Sequence, residues 1–321
     1  MISAILTCHN EERFIAQAIE SIVAQTAYDE IGQIIVVNDG SRDGSQAVLD
    51  KISVHNGKLE IVQAGGVGVS AARNLAIARA QGDFIAFLDG DDLWHPEKTE
   101  RQLAAARTAG ESTVLLYTDF LDFCEDISEG SHVPVRIFEA TNQNVLNDFF
   151  VYDGPIMPSS VLVRTSAIKE TKGFDPALRY AEDTDAWLRL AAAGGRFQHV
   201  PGVLTFKRRH GANATGDPRD WDMLAERISQ IWVGRVPELK SLTSRRASVR
   251  RVKIASTYLS RGERARAFTY LARALACNPF NGRAYIFAVL ALLPDGIRGT
   301  LIAVLKRLRS MARGSGVVKV R

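Results

Sequence analysis

The chain has 321 residues, 46% of them apolar, 24% charged and 8% aromatic. That is enough for one large core or two modest ones, and it excludes a disordered, collagenous or coiled-coil chain. Cys8, Cys124 and Cys277 stand more than 100 residues apart, which excludes zinc-finger spacing, a CxxC redox pair and a dense disulfide framework and suits a reducing cytoplasm. The net charge of +4 conceals an asymmetry: residues 1–204 hold 16 Lys+Arg against 29 Asp+Glu, and residues 205–321 hold 24 against 7. Such a split implies two parts with different partners.

Residues 1–8 form an apolar run with no preceding basic segment or small-residue cleavage site, so they read as a first strand and not as a secretory leader. β-Branched or aromatic runs predict strands over residues 2–7, 34–38, 59–63, 84–88 and 113–117. Helical spacing predicts helices over 12–25, 46–52, 70–81 and 96–109. The alternation predicts a parallel α/β sheet with flanking helices. Residues 126–170 are broken by Pro134, Pro155 and Pro158, and a helix is expected over 183–193, closing at Gly194-Gly195.

From about residue 218 every segment reads as helix, so the expected division is an α/β domain over 1–217 and an all-α, basic region over 218–321. Ala255, Tyr258, Gly262, Ala267, Ala274 and Pro279 fall at the spacing of a 34-residue tetratricopeptide repeat, with Arg251 where that repeat has Trp. One repeat cannot bury its faces alone, so a single helical hairpin is expected. Residues 284–305 are apolar, but Pro294-Asp295-Gly296 divides them into pieces of about ten residues, where a membrane span needs roughly 20.

Four polar clusters sit at strand ends, where open α/β sheets bind ligands. Thr7-Cys8-His9-Asn10-Glu11-Glu12 runs from a strand into a helix start; its plain alternative is an N-cap by Asn10. Asn38-Asp39-Gly40-Ser41 can present the Asp39 carboxylate to a base or ribose, or be an ordinary turn. Gly66, Gly68 and Ala71 imitate the dinucleotide fingerprint G-x-G-x-x-[GA], a loop that suits any phosphate at a helix N-terminus. Asp89-Gly90-Asp91-Asp92 crowds three carboxylates after an apolar strand, and a divalent cation, Mg²⁺ or Mn²⁺, relieves that repulsion.

In this order and spacing, Thr7-x-x-Asn10-Glu11-Glu12, Val37-Asn38-Asp39-Gly40-Ser41, Gly68-Val69-Ser70-Ala71-Ala72-Arg73-Asn74 and Phe87-Leu88-Asp89-Gly90-Asp91-Asp92 make residues 1–215 resemble a family 2 glycosyltransferase of the GT-A fold. The resemblance implies a nucleoside-diphosphate sugar donor held by Thr7, Asn10, Glu11, Asp39, Arg73, Asn74 and Asp89. It implies Asp89 and Asp91 as the DxD element, Asp91 the main metal ligand. Asn38 replaces the commoner Asp. Gly173-Phe174-Asp175 and Glu182-Asp183 resemble downstream family segments, which implies Asp183 as general base with Glu182 beside it. Charge at a helix start is the alternative. Trp187 and Leu188 read as helix core. Residues 208–215 resemble a segment that closes over the donor, with His210 on metal or phosphate.

The expected activity is an inverting, metal-dependent transfer to a hydroxyl of a glycan or lipid-linked glycan. The competing classes are an NAD-dependent oxidoreductase using residues 66–71 and a non-catalytic helical scaffold. The basic tail implies an anionic membrane face as partner, against intramolecular pairing or a homodimer. Nucleic acid is not expected, because no aromatic residues interleave the basic clusters. The site of action implied is cytoplasmic, peripheral on the inner face of the plasma membrane.

Overall fold

The computed structural model describes residues 1–53, 56–133, 135, 145–152, 156–178, 180–211 and 218–294. The described residues divide into two compact units, one within residues 1–146 and 156–211, the other of residues 147–152 and 218–294.

The first unit is built on a sheet of β1 (Ile2–Cys8), β2 (Ile31–Asn38), β3 (Leu59–Gln63), β4 (Phe84–Asp89), β5 (Leu93–Trp94), β6 (Thr113–Phe123), β7 (Ser131–Val133), β8 (Val161–Arg164) and β9 (Arg196–Arg208). Among the described residues the order is β3-β2-β1-β4-β8-β6-β9-β5, with β7 on β6. The expected parallel sheet holds for β3-β2-β1-β4 and for β6 beside β9. It fails at β8, which runs antiparallel between β4 and β6, and at β5 and β7. The sheet is therefore mixed. β8 has four residues, too few to show a period. β9 hides behind Pro201-Gly202, where the β6–β9 register shifts and Gly202 takes φ +124°.

Helices α1 (Ile15–Val23), α2 (Ser45–Ser53), α3 (Val69–Arg79), α4 (Lys98–Thr108), α5 (Val145–Tyr152), α6 (Thr165–Glu170) and α7 (Glu182–Ala192) follow along the chain. α1 buries Ile15, Ala18, Ile19 and Ile22, the i, i+3, i+4, i+7 stripe, against Ala4, Leu6, Ile34 and Val36 of the strands. Each such aliphatic side chain contributes about 1.5–3 kcal/mol. A buried polar layer ties α4 to the 3-10 turn Pro158–Ser160. Lys98 Nζ donates to Gln102 Oε1 at 2.9 Å over the Trp94 ring, and Gln102 Nε2 donates to the Ser160 carbonyl at 3.0 Å. Burial holds the Lys98 amine well below its ordinary value.

The second unit comprises α8 (Pro218–Arg235), α9 (Thr243–Ser260), α10 (Arg264–Cys277) and α11 (Gly282–Leu292). α9 and α10 form the expected hairpin. Ala255, Tyr258, Ala267 and Ala274 are buried, and Gly262 makes the turn at φ +78°. Where the repeat would place Trp, Arg251 donates to Asp222 at 3.2 Å, an ionic tie in place of an aromatic one. Arg246, buried, donates to the Phe150 carbonyl. Among the described residues no helix is long and apolar enough to cross a membrane.

Candidate active site

In register, Thr7 of β1 lies beside Val37 of β2 and Asp89 of β4, so three of the four motifs converge at the carboxyl ends of neighbouring parallel strands. The first two interlock. Asn10, at φ +61°, takes the Arg42 N–H on its Oδ1 at 2.8 Å and donates its own N–H to Ser41 Oγ. The Glu11 N–H donates to Ser45 Oγ, the Glu12 N–H to Asp43, and the Gly44 N–H to Glu12. Asn10 is thus no N-cap. α1 begins after Phe14, and its start carries no side-chain cap.

The third motif folds onto the second. Asp39, 6% exposed, accepts the N–H groups of Gly66, Val67 and Gly68 at 2.6–2.8 Å. Gly40 at φ +71° permits the approach, for a Cβ there would stand 2.8 Å from the Gly66 nitrogen. The amides expected to cradle a phosphate are turned onto a carboxylate of the same chain. This removes the basis of the dinucleotide reading, whose pyrophosphate needs those donors.

The acidic turn divides its three carboxylates. Asp92 is buried. Its Oδ2 accepts from Ser159 Oγ at 2.7 Å and its Oδ1 from the Arg208 N–H at 3.0 Å, so this carboxylate stitches the turn to neighbouring segments. Burial, then the charges of Asp91 and Asp89, push it well above the ordinary carboxylate range. Asp91 faces His210 Nε2 at 2.9 Å, and burial, then Asp89, also raises it. Asp91, His210 and Glu11 offer ligand atoms within 4.8 Å of one another. Among the described residues Glu11 Oε2 is buried without a hydrogen-bond partner, and burial, then Asp91 and Asp89, pushes this carboxyl up to about 8. A positively charged occupant would meet all three groups. Asp89, expected as a ligand, lies outside this cluster.

Asp89 instead accepts from Arg73 Nη2 at 2.7 Å, and Arg73 Nη1 donates to Glu182 Oε1 at 3.0 Å. The buried guanidinium thereby joins β4 to the start of α7, whose Glu182 lies 109 residues beyond Arg73. Burial opposes the charge, but Asp89 and Glu182 more than offset it and hold Arg73 above its ordinary value. Asn74 spends both ends of its amide on the backbone of Phe174, at 2.8 and 2.7 Å, and so fixes the Gly173-Phe174 turn. Phe174 stacks edge-on between Phe87 and Trp187, and Trp187 is core, as expected. Asp183 bonds only to the N–H and hydroxyl of the adjacent Thr184 among the described residues. Burial raises its carboxyl above the ordinary 3.8.

Ser159 had no motif to reveal it, and Arg208 stood only as the first residue of the expected closing segment. Ser159 Oγ accepts the Asp89 N–H at 3.1 Å while donating to Asp92. Arg208 donates from Nε to the Asp91 carbonyl and lies 4.7 and 4.6 Å over the rings of Phe14 and Phe123. Ser159→Ala leaves a buried Asp92 oxygen short of a donor and is expected to cost about 1–3 kcal/mol of stability, read as a lower thermal midpoint. An unchanged midpoint would show that the turn does not depend on Ser159. Of the expected closing segment, residues 212–215 lie outside the described residues, as do the basic clusters at Lys306, Arg307 and Arg309.

Residues 3–148 match the family model described as glycosyl transferase family 2. The chain is 28% identical over 215 residues to an uncharacterized glycosyltransferase of Nostoc sp., covering 66% of each chain. It is 28% identical over 217 residues to EpsE of Bacillus subtilis, named as a glycosyltransferase, covering 66% of this chain and 74% of that one. The crystal structure of S. aureus TarS 1-349 is similar with a TM-score of 0.59 at 18% identity, covering 87% of this chain and 81% of that one. The TarS complex with UDP-GlcNAc matches with the same score at 19% identity, covering 86% and 81%. Residues 3–148 thus carry a domain matching glycosyl transferase family 2, and the sheet unit has the GT-A type of fold.

Proposed function

We propose that this glycosyltransferase is inverting and metal-dependent, moving a sugar from a nucleoside-diphosphate sugar to a hydroxyl of a glycan or lipid-linked glycan in bacterial surface polysaccharide or glycan synthesis. The observation that carries the reading is the Glu11–Asp91–His210 cluster with its orphaned Glu11 oxygen. Carboxylate and imidazole donors suit Mn²⁺ or Mg²⁺. An ion held there supplies positive charge to the departing diphosphate. The UDP-GlcNAc complex of the structural neighbour supports uridine as the base.

Asp183 accepts the acceptor's hydroxyl proton as its oxygen attacks the anomeric carbon and the C1–oxygen bond to the diphosphate breaks. Its lack of a cationic hydrogen-bond partner and its raised carboxyl suit it to that task better than Glu182, which Arg73 holds. Arg73 aligns donor side and acceptor side through Asp89 and Glu182, while Asn10, Asp39 and Asn74 position the loops beside Thr7. The enzyme acts in the cytoplasm, peripheral to the membrane, through its basic helical region.

A thermal-shift series tests the donor and metal together. Uridine diphosphate at 100 times its dissociation constant is expected to stabilise the chain by about 2.7 kcal/mol with Mn²⁺ present and far less without it. Asp91→Asn should abolish the metal-dependent part. Equal shifts in wild type and variant, with and without metal, would overturn the metal reading.

A further inference from the structure

We propose that the outward face of α11 is the surface by which the chain seats on an anionic bilayer, an inference that rests on the peripheral-membrane reading and names its contact. Tyr285, Ile286, Val289 and Leu292 are 51, 52, 60 and 71% exposed, and Phe280, just before the helix, is 94% exposed. The four helical positions share one side of α11, while Ala284 and Ala291 bury the opposite side in the helical core, with Phe287 and Ala288 packed against it. This is an apolar stripe on a helix of 11 residues, long enough to lie in an interface and too short to span one. The Tyr285 hydroxyl donates to the Pro279 carbonyl at 3.0 Å, so its polar tip is satisfied beside an apolar ring.

Charge selects the occupant. From Arg264 to Pro294 the sequence contains no Asp or Glu and four Arg, of which Arg266 pairs with Glu263 and Arg273 with Asp222. Residues 295–321 add seven Lys+Arg against one Asp. A second copy brought face to face would set like charges against like, whereas a surface of anionic headgroups complements them.

Full-length chain is mixed with phosphatidylcholine vesicles, with and without phosphatidylglycerol, and sedimented at low and high salt. Binding is expected to the anionic vesicles only, released by salt. The triple variant Ile286→Ser, Val289→Ser and Leu292→Ser, which leaves every charge in place, should bind roughly tenfold more weakly or worse. Val289→Trp, a single exposed change that spares the core, should add blue-shifted emission quenched by brominated acyl chains. Wild type that fails to sediment overturns both the inference and peripheral attachment. Triple variant binding like wild type, or no quenching of the introduced indole, overturns the α11 assignment alone. A dimer abolished by the triple substitution, with no vesicle binding, gives the face to a second copy and overturns the proposal. Uridine diphosphate binding, measured separately, reports on the donor reading.

Discussion

Asp183→Asn is expected to keep nucleoside-diphosphate binding and lose sugar transfer by about 10²–10⁴-fold, because the amide has nearly the size of the carboxylate but cannot accept a proton. The wild-type rate should rise with pH through the folded Asp183 value, which burial holds above 3.8, since the base works only when ionised. That acid limb should vanish in the variant, and a residual rate should be flat there. Initial rates across acidic to neutral pH, with donor affinity measured alongside, decide it. Transfer persisting within a few-fold would reduce Asp183 to a charge at the start of α7. Glu182 would then be the next candidate base. Asp185 would not, because it is fully buried and bonded to Arg189 at 2.8 Å.

Arg73→Met should be the most destabilising single change in the sheet unit. Removing one partner of a buried ion pair costs about 3–5 kcal/mol. The Asp89 side chain keeps 32% of its exposure, and water there brings the expected cost toward the lower end of that range. Without the guanidinium, the folded-state value of Glu182, which Arg73 lowers, rises. A carboxyl whose folded value lies above its unfolded one favours the fold at low pH and opposes it once both states are ionised. The deficit should therefore shrink as pH falls from neutral toward the ordinary Glu value of 4.5. Urea melts of wild type and variant at neutral and mildly acidic pH measure it. Arg73→Lys should recover part of the loss, because an ammonium lacks the fork that reaches both carboxylates. A deficit below about 1 kcal/mol would place Arg73 among exposed pairs.

Local patterns were legible where the chain is locally periodic. The β-branched runs and the Ile15-Ala18-Ile19-Ile22 stripe are short-range signals, and β1 to β4 and α1 to α4 fall within a few residues of expectation, while the two-residue β5 was not expected. The sheet's direction was not legible, because β8 and β9 owe their places to partners distant in sequence. The four motifs come together at the carboxyl ends of the central strands, yet residue type did not say what each side chain would touch. Asp39 and Asp89 look alike as strand-end carboxylates; one meets three amides and the other a guanidinium. Glu11 was expected beside a nucleotide, and its carboxylate stands with Asp91 and His210. Ser159 was invisible because a serine before a short strand carries no signal of the 70 residues separating it from Asp89.

The place of β8 in the sheet also dictates when the site can exist. The four strands β3, β2, β1 and β4 lie within the first 89 residues and pair among themselves. The Asp89–Arg73–Glu182 bridge, the Ser159 bond and the His210 contact all await chain made 70 to 120 residues later. A ribosome therefore releases a nearly complete half-sheet whose β4 edge, Phe84 to Leu88, stays unpaired until Val161–Arg164 arrives. Closing such distant contacts is slow, and an apolar strand edge left open invites other chains. A chain stopped before residue 158 would display all four motifs and still have no active site. Its exposed β4 edge should make it aggregate.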